Sequence, residues 1–301
     1  MEIQLKGSIK THSQPVYALS EGTMDDCVMT CGSDKYIAQW NIITLTQVEP
    51  TIKLELPIYS ILLNKENLKL YAGDSSGSIH LICLKKKTEE RHITYHQKGI
   101  FKLKLNPSNQ HLYACGGDGK FTIWNSITME LLRTFQFCDE KIRTISISSD
   151  HKYICVGGND GIAHILETEF YNEIYSSKKF PEAISSSCFS PCGKYLILGF
   201  KDAHLAILNR ADNYTILRKI PAHYFAIYSI VFSLSGKNFA TCSRDKTIKI
   251  WDTEKFEVVK RISQPKFAAH THSVNDLLWL KEDLLISTGD DRQLLVWKIN
   301  Y

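Results

Sequence analysis

The sequence lacks what a membrane span, a disulfide frame or a dedicated nucleic-acid binder would need. No apolar run approaches the roughly 18 residues of a membrane helix. The opening Met1-Glu2-Ile3-Gln4-Leu5-Lys6 holds no apolar core of a secretory signal. Cysteine totals nine, an odd number with no Cys-x-x-Cys pair, which argues against a disulfide scaffold and a thiolate zinc site and for reduced thiols in the cytoplasm. Charge of one sign is missing: 36 Lys and Arg against 32 Asp and Glu leave a formal +4, short of the basic stripe of a nucleic-acid binder. Sustained helical periodicity is absent, and Gly116-Gly117-Asp118-Gly119 has no phosphate-binding lysine at the Walker spacing. What is present is a 44% apolar, 11% aromatic composition that can bury a core and excludes disorder as the main state.

A repeat organises that composition. Arg244-Asp245-Lys246-Thr247-Ile248-Lys249-Ile250-Trp251-Asp252 and Asp290-Asp291-Arg292-Gln293-Leu294-Leu295-Val296-Trp297 both set a large apolar residue six after an Asp. The same template falls on Asp34/Trp40, Ser76/Ile82, Asp118/Trp124, Asp160/Leu166, Asp202/Leu208, Asp245/Trp251 and Asp291/Trp297, spaced 42, 42, 42, 42, 43 and 46 apart. A second mark, 28 residues earlier (27 in the last unit), reads His12, Leu54, His96, Cys138, Phe180, His223 and His270. Four residues after it comes Val16, Ile58, Ile100, Ile142, Ile184, Ile227 or Val274, β-branched every time. Within a unit, short β-branched and aromatic runs alternate with turn residues; in the sixth, strands are expected at 227–232, 238–242, 247–251 and 257–262. Four strands per unit make one propeller blade.

The pattern His…Asp…Trp-Asp, clearest at His223, Asp245 and Trp251-Asp252, resembles a WD40 repeat, and the resemblance spans the whole chain. Ile82, Leu166 and Leu208 replace Trp in the second, fourth and fifth units. The expected fold is all-β: a seven-bladed β-propeller of four-stranded antiparallel blades, one domain over 1–301. Only four residues follow Trp297, so residues 1–10 are expected to supply the outer strand of blade 7. The remaining boundaries are 11–51, 52–93, 94–135, 136–177, 178–219 and 220–265 for blades 1 to 6, and 266–301 for the rest of blade 7.

The resemblance implies a structural tetrad of His, second-strand Ser or Thr, turn Asp and Trp, complete at His12/Thr30/Asp34/Trp40, His223/Thr241/Asp245/Trp251 and His270/Ser287/Asp291/Trp297. The third unit has His96, Asp118 and Trp124, with Ala114 where the hydroxyl belongs. Residue types alone match a hydrolytic triad, but recurrence once per blade points to pinning of turns. No catalytic residue, cofactor, metal or small-molecule substrate is expected. Cys188 and Cys192 lack the ligand set zinc wants. Cys31, Cys115 and Cys242 share one register and read as packing between blades. The run Lys85-Lys86-Lys87 reads as a solvated hairpin tip.

The resemblance also implies two positions per blade on the narrower top face. The first reads Tyr17, Tyr59, Phe101, Arg143, Ser185, Tyr228 and Asn275; the second reads Ser33, Ser75, Gly117, Asn159, Lys201, Arg244 and Asp290. Aromatics in blades 1–3 and the cations Arg143, Lys201 and Arg244 in blades 4–6 suggest a non-enzymatic scaffold docking an acidic or apolar protein segment. The alternatives are an enzyme-type propeller with a polar site at the channel mouth and, disfavoured by the mild charge, a nucleic-acid adaptor. The extra residues around Gln264 to Ala269 are expected to enlarge one top-face loop.

Overall fold

In a computed structural model, which describes residues 1–301, the short β-branched and aromatic runs form 28 strands and one 3-10 turn, Arg210–Asp212. After β1 (Glu2–Lys10), blade 1 is β2 (Val16–Glu21), β3 (Cys27–Gly32), β4 (Tyr36–Asn41) and β5 (Thr46–Lys53). Blade 2 is β6 (Ile58–Asn64), β7 (Lys69–Asp74), β8 (Ser78–Cys83) and β9 (Thr88–Thr94). Blade 3 follows as β10 (Ile100–Asn106), β11 (His111–Gly116), β12 (Lys120–Asn125) and β13 (Leu131–Gln136). Blade 4 holds β14 (Ile142–Ile147), β15 (Tyr153–Gly158), β16 (Ala163–Glu167) and β17 (Glu173–Ser176). Blade 5 holds β18 (Ile184–Phe189), β19 (Tyr195–Phe200), β20 (His204–Asn209) and β21 (Thr215–Pro221). Blade 6 is β22 (Ile227–Phe232), β23 (Asn238–Ser243), β24 (Ile248–Asp252) and β25 (Val258–Ile262). Three strands remain: β26 (Val274–Lys281), β27 (Leu284–Gly289) and β28 (Gln293–Asn300).

Those last three strands take β1 as their fourth, in the order β1-β28-β27-β26, while the other six sheets run in chain order. Antiparallel pairing from Glu2↔Asn300 to Lys10↔Gln293 closes the ring and covers the edge that β28 would otherwise present. The second strand of a blade packs on both faces against neighbouring blades. Accordingly β3, β19, β23 and β27 are buried at every residue and read as unbroken apolar or small runs rather than alternating ones. The outer strands are largely exposed, as in β13.

One turn recurs in all seven blades between the second and third strands. The residue after the turn mark is left-handed: Lys35, Gly77, Gly119, Gly161, Ala203, Lys246 and Arg292, with φ from 65 to 103 degrees. The turn carboxylate stabilises it by accepting the amide two residues on, as Asp34 does from Tyr36, Asp160 from Ile162, Asp202 from His204 and Asp245 from Thr247. That backbone job explains why Asp recurs even where Trp does not. The preceding loop crosses so closely that a β-carbon on Gly32 or Gly289 would overlap the Pro15 or Ser273 carbonyl oxygen.

A second device aims side chains at the channel mouth. Every inner strand carries a bulge at the same place, between Val16/Ala18, Ile58/Ser60, Ile100/Lys102, Ile142/Thr144, Ile184/Ser186, Ile227/Ser229 and Val274/Asp276. The bulged residues are Tyr17, Tyr59, Phe101, Arg143, Ser185, Tyr228 and Asn275. A bulge leaves its extra residue unpaired and re-aims it.

Candidate interaction face

Beneath the face, four blades hold hydrogen-bonded tetrads. In blade 1, His12 Nδ1 meets Asp34 at 2.8 Å, His12 Nε2 meets Thr30 Oγ1 at 2.7 Å, and Trp40 Nε1 donates to the same hydroxyl at 2.8 Å. Blades 6 and 7 repeat this through His223, Thr241, Asp245 and Trp251 and through His270, Ser287, Asp291 and Trp297. Donation runs along a chain from Trp N–H to hydroxyl, from hydroxyl to imidazole and from imidazole N–H to carboxylate, so only the hydroxyl and the imidazole both give and take and a neutral histidine suffices. Blade 3 has the complete set as well, where its second-strand Ala114 suggested a gap. Thr122 on β12 meets His96 Nε2 at 2.9 Å and accepts from Trp124 Nε1 at 2.9 Å. Thr122 lies directly opposite Ala114, as Ala38 lies opposite Thr30 in blade 1: the same cross-strand pair, with its members exchanged.

Blades 2 and 4 carry a different network. His80 on β8 has Nδ1 2.6 Å from Glu89 and Nε2 3.3 Å from Asp74. His164 on β16 has Nδ1 2.7 Å from Glu173 and Nε2 3.5 Å from Asp160. Both histidines occupy the position two before the Trp place, and the outer-strand glutamates lie opposite that place, at Ile82↔Glu89 and Leu166↔Glu173. Carboxylates on both nitrogens demand two N–H donors. Burial opposes charge on both histidines, but the flanking carboxylates outweigh it and raise their pKa. Burial likewise opposes charge on Asp74, yet hydrogen bonds from His80 and the Ser76–Ser78 turn bring it to about 2. Blade 5 replaces the network with packing of Phe180 on Phe200, Leu198, Ala206 and Leu208.

Asp74, His80 and His92 bring three potential metal-ligand atoms within 4.8 Å of one another. The His80 and His92 rings stack at 4.4 Å and 24°, so their lone pairs lie in nearly parallel planes and do not converge on one ion. Oδ1 of Asp74 takes backbone amides of Ser76, Gly77 and Ser78. With the same Asp–His–Glu arrangement in blade 4, the cluster is structural. The repeat cysteines Cys31, Cys115 and Cys242 are fully buried in core clusters. Lys85, Lys86 and Lys87 lie exposed between β8 and β9, where Lys86 pairs with Glu90 at 3.2 Å.

Above these networks six of the seven bulged residues, all but Ser185, line an axial channel of about 1210 Å³. Tyr17 meets Tyr59 edge-on at 5.4 Å, Tyr59 stacks on Phe101 at 5.9 Å, and the Arg143 guanidinium lies over Phe101 at 5.5 Å. The rings are thus half-buried against one another and half-open to the channel. Arg143 is also held by Asn159 at 2.8 Å, so it ends the aromatic row rather than joining a separate cationic half. Tyr228 is exposed beside the channel, and Asn275 ties Asp290 in at 2.8 Å. Lys201 and Arg244 are exposed on their turns, outside the channel lining. The most exposed aromatics of this face are Tyr224 (79%) and Phe225 (55%), the latter under Arg244 at 5.8 Å. This pair lies outside both repeat registers of the top face. Its signal is comparison across units: the two residues after the mark are polar in most, such as Ser13-Gln14, Gln97-Lys98 and Asp139-Glu140, and both aromatic only here. In the lengthened loop before β26, Phe267 packs edge-on to Trp297 at 6.3 Å.

A sequence model described as WD domain, G-beta repeat matches residues 87–125, 129–166, 214–252 and 262–298, about half of the chain. The first three matches each begin at the outer strand of one blade and end at the third strand of the next, so the sequence unit runs one strand out of step with the blade. Among curated relatives, protein groucho of Drosophila melanogaster is 22% identical over 311 residues, covering 97% of this chain and 41% of its own. An uncharacterized WD repeat-containing protein of Schizosaccharomyces pombe is 28% identical over 149 residues, covering 49% of this chain and 24% of its own. The chain therefore spans less than half the length of these relatives.

Proposed function

The chain belongs to the WD40-repeat family, whose propellers are commonly interaction scaffolds, and from that premise we propose that it is a non-enzymatic scaffold docking a protein segment on its top face. The observation that carries this reading is the continuous row Tyr17–Tyr59–Phe101–Arg143 over an open channel. Half-buried aromatics and an arginine held in place by packing are the groups that make interface hot spots. The segment is acidic with aromatic or apolar side chains. Its rings continue the aromatic row, and Arg143, Lys201 and Arg244 steer its charges. An enzyme-type site would need free convergent carboxylates; Asp290 is held by Asn275, and Asp276 accepts the amides of Leu19 and Leu277. All nine cysteines are unpaired, which supports a reducing compartment, and we place the protein in the cytoplasm.

The test compares partners captured by the wild type and by Tyr59→Ala/Phe101→Ala/Arg244→Glu, with matched thermal unfolding to show that the ring survives. Loss of the principal partners is expected. An unchanged partner list removes the top-face assignment.

A further inference from the structure

Below each bulge, two further positions of the inner strand face the channel or its walls. In five blades they are small, hydroxylic or apolar: Ala18 and Ser20, Ser60 and Leu62, Thr144 and Ser146, Ser186 and Cys188, Ser229 and Val231. The hydroxyls satisfy one another or the next blade. Ser60 donates to the Ile100 carbonyl at 3.2 Å, Ser186 to that of Ile227 at 2.9 Å, and Thr144 meets Ser187 at 2.9 Å.

Blade 3 breaks the pattern by placing lysines at both positions. Lys102 and Lys104 point to the same side of β10 and line the channel. No carboxylate lies within ion-pairing distance of either ammonium. The one acid at the matching depth, Asp276 of blade 7, already accepts the Leu19 amide with Oδ2 and the Leu277 amide with Oδ1, each at 3.0 Å. Lys104 retains surface on the channel, yet protein surrounds it; burial and the charge of Lys102 together lower its pKa, against weaker pulls from Cys188 and Asp276. Two neighbouring lysines on the channel wall with no carboxylate in pairing reach are an electrostatic deficit that folding alone leaves uncorrected.

We infer that Lys102 and Lys104 form a well for a carboxylate carried by the docked segment, entering from the top past Tyr59, Phe101 and Arg143. This rests on the docking reading above and names the chemistry the segment must bring. Phe101 and Lys104 are three residues apart on one strand, so the well lies roughly 10 Å below the mouth. A chain end, or an Asp or Glu on a short inserted turn, spans that depth. Charge complementarity selects an acidic segment over a basic or purely apolar one. The aromatic row selects a peptide over a bare anion, because its ring faces offer apolar contact that an inorganic ion cannot use.

The experiment selects random twelve-residue peptides displayed on phage against the full chain, then measures synthetic winners by calorimetry. Wild type is expected to enrich peptides pairing an Asp, Glu or free C-terminus with an aromatic or large apolar residue. Replacing the winner's acid by its amide should weaken binding at least about tenfold to wild type, the loss of one charge-assisted hydrogen bond. The same replacement should change little with Lys102→Met/Lys104→Met, whose side chains keep the apolar stem. Lys102→Arg/Lys104→Arg should restore acid preference, which separates a charge effect from altered packing. Winners that bind equally well as amides overturn the carboxylate well and leave top-face docking standing. Inorganic phosphate binding with the same lysine dependence, while no peptide binds, overturns the inference in favour of a free anion. A selection yielding no peptide sensitive to Tyr59→Ala/Phe101→Ala removes the docking reading itself.

Discussion

In blade 6, His223 faces a carboxylate on one nitrogen and a hydroxyl on the other; in blade 2, His80 faces carboxylates on both. The hydroxyl can donate, so His223 completes its network as a neutral imidazole, and burial holds its pKa below the usual histidine value despite the Asp245 hydrogen bond. Carboxylates only accept, so His80 completes its network as a cation and its pKa rises against burial. Two blades of one ring thus pin equivalent turns with histidines whose pKa values shift in opposite directions. The switch is local: Ile82 or Leu166 at the Trp place offers no indole donor, and a glutamate on the facing outer strand supplies an acceptor.

The blade that tests the tetrad most severely is the seventh, whose outer strand comes from the other end of the chain. Removing residues 1–10 uncovers the edge of β28 and strips Ile3 and Ile9 from their core clusters. No soluble folded monomer is expected by size-exclusion chromatography and circular dichroism. A truncated chain as stable as the parent would mean that His270, Ser287, Asp291 and Trp297 hold three strands unaided.

The next effect concerns the hydroxyl. Thr241→Val leaves His223 Nε2 and Trp251 Nε1 buried without a partner and should cost about 1–3 kcal/mol for each group in chemical denaturation. Thr122→Ala in blade 3 should cost a similar amount, and Ala114→Thr added to it should recover most of the loss, because the pair sits in one cross-strand register. No recovery would show that the exchanged hydroxyl is not equivalent.

The smallest effect sharpens the comparison by pH. His80 and His164 have raised folded values, so their contribution is complete below the unfolded value of about 6.5 and fades as pH rises through the folded one. His223 has a lowered value, so its contribution is complete above about 6.5 and fades as pH falls through the folded one. Ring-proton NMR should find His80 and His164 titrating above His223; the reverse order would break the assignment of charge. On the acid side both network types weaken together. Asp74 and Asp118, each brought to about 2 by hydrogen bonds that outweigh burial, lose their contribution as pH falls from about 4 toward those values.

Spacing made three of the four tetrads legible, because Asp, Trp and His recur at fixed distances. Thr122 was not legible, because its hydroxyl reaches the same point from the opposite strand and only the pairing Thr122↔Ala114 reveals this. Asp74 escaped for a related reason. It lies two residues before the repeat's Asp place, where Ser76 stands, and still folds back onto the turn amides. The top-face positions were legible as a row of residue types. Their grouping was not: Arg143 stacks on Phe101 across a blade boundary, a contact no one-dimensional register contains.

The sequence by itself determined the count of seven, the strand punctuation, and the closure of the ring by its first ten residues. The count and the strands follow from marks recurring at fixed spacing and from turn chemistry, which act within one repeat; the closure follows from the likeness of residues 2–12 to an outer strand followed by the His mark. Only the tertiary structure decided which way each buried histidine's pKa moves, that Tyr17, Tyr59, Phe101 and Arg143 form one continuous row, and that Lys102 and Lys104 share a channel with Asp276, whose oxygens are already engaged. The histidine networks depend on which side chains face one another across the strands of a single blade; the row and the channel depend on groups 40 or more residues apart meeting across blades, where the enclosing low-dielectric wall sets their energies.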